Sequence, residues 1–143
     1  MDTRRWPPSG WEREGAFSVR GAAVVELFRG PTALGRPRLA HSGLAASVGT
    51  DLGSLARQHM AGIAAARDEL IVLDEGPERC RAGRPAHRVL YTCLSQTLSL
   101  TVEHWVVAGR RELHVLTVAA PTATWRAVEP SLRPVLRAFR DAG

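Results

Sequence analysis

Residues 86–94 (AHRVLYTCL), 98–107 (LSLTVEHWVV) and 112–120 (ELHVLTVAA) decide the fold. Each run is strand-length and rich in Val, Leu, Thr, Tyr or Trp, side chains that suit a pleated, half-buried surface. Short breaks at Ser95-Gln96-Thr97 and Ala108-Gly109-Arg110-Arg111 separate them. Three strands in series with short connections predict an antiparallel β-meander.

Turn length then sets register. A two-residue turn at Gln96-Thr97 places Arg88 opposite Trp105 and Tyr91 opposite Val102. A two-residue turn at Gly109-Arg110 places Trp105 opposite His114 and Glu103 opposite Leu116. Because side chains alternate along a strand, two faces separate. One carries Val89, Tyr91, Cys93, Leu100, Val102, Val106, Leu113, Val115 and Thr117, with His104. It is nearly all apolar and is expected to bury under the C-terminal helix. The other carries Arg88, Glu103, Trp105, His114, Glu112 and Thr101 beside Leu90, Leu116 and Val118. That mixed face has two readings. It is a contact surface, with Trp105 supplying apolar area and Arg88 a fork that stacks on the indole. Alternatively the first helix half-covers it and Arg88 snorkels to water.

Working outward, residues 1–14 read as a lead-in containing Trp6, Pro7 and Pro8. Strands are expected at 15–20 and 22–28, joined near Gly21, with loop chemistry over 30–37 and weak strand alternation over 38–48. Thr50 or Asp51 offers a helix N-cap, and Leu52, Leu55, His59 and Ile63 follow on one helical face ending near Asp68. A short strand is expected at 69–74, with Gly76-Pro77 turning the chain. The C-terminal stripe of Trp125, Val128, Leu132, Val135, Leu136 and Phe139 predicts a helix. Pro130 and Pro134 lie inside it and predict a kink or break near 129–131. Residues 15–143 thus form one α+β domain.

Composition agrees. The 143 residues are 45% apolar and 23% charged, ordinary for a globular domain that needs no metal or disulfide staple. All 19 basic residues are arginine, which matches codon usage in a GC-rich genome; the alternative is selection for forks that clamp phosphate or carboxylate. A net charge of +5 favours acidic partners and salt-sensitive adhesion to nucleic acid. No apolar signal region follows Met1-Asp2-Thr3, and no stretch approaches a membrane span. Cys80 and Cys93 are expected to be reduced, in a cytoplasmic protein.

Chemistry-bearing motifs are scarce. The Gly30–Gly35 loop continues into Arg36-Pro37, where a phosphate loop needs Lys and Ser or Thr. Dinucleotide glycines, a nucleophile elbow, Cys-x-x-Cys and His-Glu-x-x-His are all lacking. Among His41, His59, His87, His104 and His114, the register sends His104 and His114 to opposite faces, so they do not share an ion. The expectation is no catalytic residue, no metal and no cofactor, with His104 a hydrogen-bonded core histidine.

The turn Gly83-Arg84-Pro85-Ala86, the strand bearing Tyr91, the run Leu113-His114-Val115-Leu116-Thr117-Val118-Ala119-Ala120 and the helix ending Val135-Leu136-Arg137-Ala138-Phe139-Arg140 together resemble the PsbP-like superfamily over residues 15–140. The resemblance implies an α/β/α sandwich: a central antiparallel sheet flanked by helices on both faces. It also implies a non-enzymatic binding protein. Some small bacterial members act as chaperones for secreted effectors, using the sheet as a cradle and commonly forming homodimers. The functional expectation is a bacterial module that docks a protein or peptide segment on its sheet face, through Arg88, Glu103, Trp105 and His114, as chaperone or adaptor. A basic nucleic-acid binder and a small-ligand carrier or enzyme are the alternatives.

Overall fold

A computed structural model describes residues 10–18, 24–34, 37–45, 51–79, 85–108 and 112–132. Seven strands form one antiparallel sheet: β1 (Glu12–Ser18), β2 (Val24–Arg29), β3 (Arg38–Ala45), β4 (Asp68–Arg79), β5 (Pro85–Ser95), β6 (Leu98–Ala108) and β7 (Glu112–Pro121). Their order across the sheet is β1-β2-β3-β7-β6-β5-β4. After β3 the chain crosses to the far edge through helix α1 (Leu52–Ala66), then returns strand by strand until β7 pairs with β3.

That crossover decides which helix covers which face. α1 packs across β4, β5 and β6. Its Ala56 and Met60 join Val89, Tyr91, Cys93, Val102, Val106 and Val115 in one buried cluster. The apolar face of the meander is therefore covered by α1, not by the C-terminal helix as the sequence suggested. Leu52, Leu55 and Ile63 flank the contact, and its buried centre is Ala56 and Met60. Asp51 is the N-cap, accepting from the backbone N–H of Gly53 at 3.0 Å and of Ser54 at 3.3 Å. Its hydrogen bonds from Ser54 hold the carboxyl below its usual range.

Ala56 has no exposed surface, so its small side chain sets how closely helix and sheet approach. Ala56→Leu should cost about 1–3 kcal/mol by overpacking. Urea unfolding would measure it, and an unchanged midpoint would mean the helix floats freely on the sheet.

The opposite face is closed by the C-terminal segment. A 3-10 turn (Thr122–Thr124) runs into helix α2, described over residues 125–132. Val128 and Leu132 cluster with Trp11, Phe28, Leu39, Ala86, Val107, Leu116, Val118 and Ala120, with Trp105 and Trp125 partly buried beside them. The expected break at 129–131 does not occur, because the chain stays helical through Leu132. Pro130 is exposed, as is Arg126, whose carbonyl it leaves without an N–H partner, so water can take the bond. Val135, Leu136 and Phe139 lie outside the described residues.

Three boundaries also differ. β1 begins at Glu12, and Trp11 is buried against the Gly30 turn, so part of the lead-in belongs to the core. A Cβ on Gly30 would lie 2.5 Å from the Pro37 ring, so only glycine fits that turn. β4 runs on through Gly76-Pro77 to Arg79, rather than turning there. As an edge strand it tolerates proline without losing a ladder bond. In the β6–β7 pair Trp105 faces Leu116 and Glu103 faces Val118. Ala108 pairs with Leu113, so the connection is longer than a two-residue turn and the register moves by two. The faces survive, because side chains repeat every two residues.

Candidate functional site

Arg88 lies on β5 directly opposite Trp105 on β6, as the Gln96-Thr97 turn requires. Its Nε donates to Glu103 Oε1, and its Nη1 donates to Asp74 Oδ2 at 3.1 Å. Glu103 is 6% exposed whereas Asp74 is open to solvent. The guanidinium is thus a bridge from a buried carboxylate to a surface one. Burial works against its charge, but the hydrogen bond and charge of Glu103, then those of Asp74, outweigh it and hold the Arg88 pKa above its ordinary value. With both carboxylates engaged, the Nε and one Nη1 donor are in use and the guanidinium charge is already paired.

Trp105 packs at the margin of the cluster closed by α2, and its Nε1 is buried with no hydrogen-bond partner among the described residues. The sheet face around Glu103 and Trp105 is therefore roofed by α2, rather than half-covered by α1. His114 shares this side of the sheet but faces Val107, not Trp105. It stacks on His41 of β3, with ring centroids 5.4 Å apart and His114 Nδ1 3.2 Å from His41 Nε2. His41 Nδ1 is 3.8 Å from Glu26, which in turn lies 3.6 Å from Arg13. The four residues picked from sequence thus divide. Arg88, Glu103 and Trp105 sit together, and His114 belongs to a second polar group with His41, Glu26 and Arg13.

Asp74 was missed because the sequence reading ended the strand there. A signal was present: five acids (Asp68, Glu69, Asp74, Glu75, Glu78) fall within the twelve residues of β4, in a chain of net charge +5. Between those acids, Ile71, Val72 and Leu73 are 59%, 48% and 56% exposed. Pairing places Ile71 with Thr92 and Asp74 with Leu90, on the Arg88 side, and Val72 with Tyr91 on the α1 side. An irregularity between Val72 and Asp74 makes Leu73 the extra residue. The Arg88–Asp74 bridge thus leads from the roofed face to an apolar edge.

On the α1 face, His104 accepts or donates through Nδ1 to Thr117 Oγ1 at 2.9 Å and lies against the His59 ring, centroids 5.6 Å apart. His87 Nε2 is 3.6 Å from Glu75. Among the described residues, no group of three or more His, Cys, Asp or Glu side chains could hold a metal ion, and no helix is long and apolar enough to cross a membrane. Cys93 is a buried free thiol, and Cys80 lies outside the described residues.

Compared with known proteins, no family model matches the chain, and no curated protein matches it in sequence. Solved structures do match. A Pseudomonas aeruginosa protein of unknown function, PA94, described as a putative regulator, superposes with a TM-score of 0.66 at 9% identity, over 86% of this chain and 93% of that one. The cyanobacterial PsbP of Synechocystis sp. PCC 6803, CyanoP, gives 0.60 at 14% identity, over 90% and 80%. The fold is PsbP-like. The shared PsbP-like architecture, a single antiparallel sheet between helical layers, agrees with the resemblance drawn from the meander and the C-terminal run. At these identities the likeness is one of fold alone.

Proposed function

We propose that this chain is a non-enzymatic binding module that docks a protein segment, acting as a chaperone or adaptor, at the β4 margin of the Arg88–Trp105 face. The observation that supports the reading is the run of exposed Ile71, Val72 and Leu73 beside the Arg88–Asp74 bridge. Large aliphatic side chains in series on a strand edge cost solubility and mark contact surfaces. α1 covers β4, β5 and β6 on its side of the sheet. Three of the described arginines, Arg13, Arg29 and Arg88, are paired with Glu26, with Glu12 and Glu14, and with Glu103 and Asp74, so these three are already engaged by carboxylates.

Capture from native lysate with wild type and Ile71→Glu tests the reading. A discrete protein should be retained by wild type at low and high salt and lost with Ile71→Glu, whose melting temperature should be unchanged because the side chain is exposed. Equal retention by both, or recovery of nucleic acid at low salt alone, would overturn it.

A further inference from the structure

Resting on the proposed docking role, we infer that the occupant of β4 is a basic, extended peptide segment that adds to the sheet as an eighth strand. Among the described residues β4 pairs with β5 alone, which leaves its outer N–H and C=O groups without a strand partner. Such an edge is a template for another strand. The side chains then state which strand. An apolar centre, Ile71–Leu73, is flanked by Asp68 and Glu69 on one side and by Asp74, Glu75 and Glu78 on the other. All five acids are exposed. Asp74 is engaged by Arg88 and Glu75 approaches His87; no ion pair to Asp68, Glu69 or Glu78 occurs among the described residues.

A second copy of this chain fits poorly. Antiparallel self-pairing centred on Val72 would set Glu69 of each copy opposite Glu75 of the other, and like charges directly opposed are destabilising. An acidic segment meets the same repulsion. A segment with apolar residues at its centre and Lys or Arg toward both ends meets none, and it matches the strip at each position. Pro77 and the irregularities between Asp68 and Ile71 and between Val72 and Asp74 limit the template to a short central stretch. These features repel indiscriminate pairing and leave charge as the selector.

The test uses the intact chain and a short acetylated peptide with three valines alternating with threonines and two lysines at each end. Its counterpart carries glutamates in place of the lysines. Amide NMR should show shifts and slowed hydrogen exchange along β4 with the lysine peptide, and affinity should fall as salt rises. Asp68→Asn and Glu69→Gln should each weaken binding by about two- to five-fold, the range of exposed ion pairs. Binding of the two peptides with equal affinity, shifts away from β4, or no binding at millimolar peptide would overturn the inference. So would sedimentation showing a dimer that Val72→Lys dissociates, since a second copy would then hold the edge. If the lysine peptide fails while Ile71→Glu still loses a lysate partner, the docking role stands and only the strand chemistry falls. If the peptide binds β4 while Ile71→Glu retains every lysate protein, the edge preference stands and the docking role falls.

Discussion

Replacing Arg88 with methionine should destabilise the domain by about 3–5 kcal/mol, the cost of leaving a buried charge without its partner. The Glu103 side chain is 8% exposed, and its described hydrogen-bond partner is the Arg88 guanidinium. Taking the guanidinium away strands the carboxylate between Leu90 and Val118, the residues opposite it on β5 and β7. The reverse change is milder. In Glu103→Gln the guanidinium keeps Asp74 and remains 19% exposed to water, so about 1–2 kcal/mol is expected. Asp74→Asn, at the exposed end of the bridge, should cost less than about 1 kcal/mol. The double change Arg88→Met with Glu103→Leu should recover most of the loss, because an apolar pair of similar volume replaces an ion pair without orphaning either member. Urea unfolding of Arg88→Met, Glu103→Leu and their combination gives the cycle directly, with Glu103→Gln and Asp74→Asn measured beside it. A loss below about 1 kcal/mol in Arg88→Met would show that water reaches Glu103 and that the bridge is only a surface feature.

The same residues show what could be read beforehand. Arg88 and Trp105 are cross-strand neighbours because Gln96-Thr97 is a true two-residue turn, with Gln96 at φ 58°, and turn length alone fixes that register. His114 was placed opposite Trp105 by the same logic and sits two residues away, because the chain from Ala108 to Leu113 does not close as tightly. Parity forgave the slip: an even shift keeps every side chain on its face. Cover was another matter. Periodicity shows that a helix has an apolar stripe but not which side of a sheet it meets. Here the passage of α1 from β3 to the far edge assigns the α1 face, and α2 is left with the other. The His41–His114 stack joins residues 73 apart in sequence through β3–β7 pairing, a contact no local pattern encodes. The extent of β4 was hidden for a different reason. Gly76-Pro77 has turn chemistry, and only its place at the edge of the sheet makes it acceptable inside a strand.

Lowering the pH from 7 toward 4 should cost the domain about 3 kcal/mol through His104 alone. This side chain is 2% exposed beneath α1, and burial pushes its pKa down to about 4, with the nearby His59 of α1 and His87 of β5 adding to the effect. Thr117 of β7 binds its Nδ1, its Nε2 is buried with no hydrogen-bond partner among the described residues, and Glu75 lies beyond His87. The unfolded chain takes up the proton near 6.5 and the folded chain near 4. Between those values the unfolded state binds more protons, so stability falls as pH falls and levels off below the folded pKa. His59, whose pKa burial also lowers, acts in the same direction. Histidine-selective NMR should find the His104 ring neutral at pH 5.5, and His104→Asn, which can keep the bond to Thr117, should flatten the dependence of urea stability on pH between 4 and 6.5 without removing the part due to His59. A ring that titrates near 6.5, or an unaltered slope in the variant, would mean that α1 opens readily enough for water to solvate His104. The sheet would then be closed on that face less firmly than the packing of Ala56 and Met60 requires.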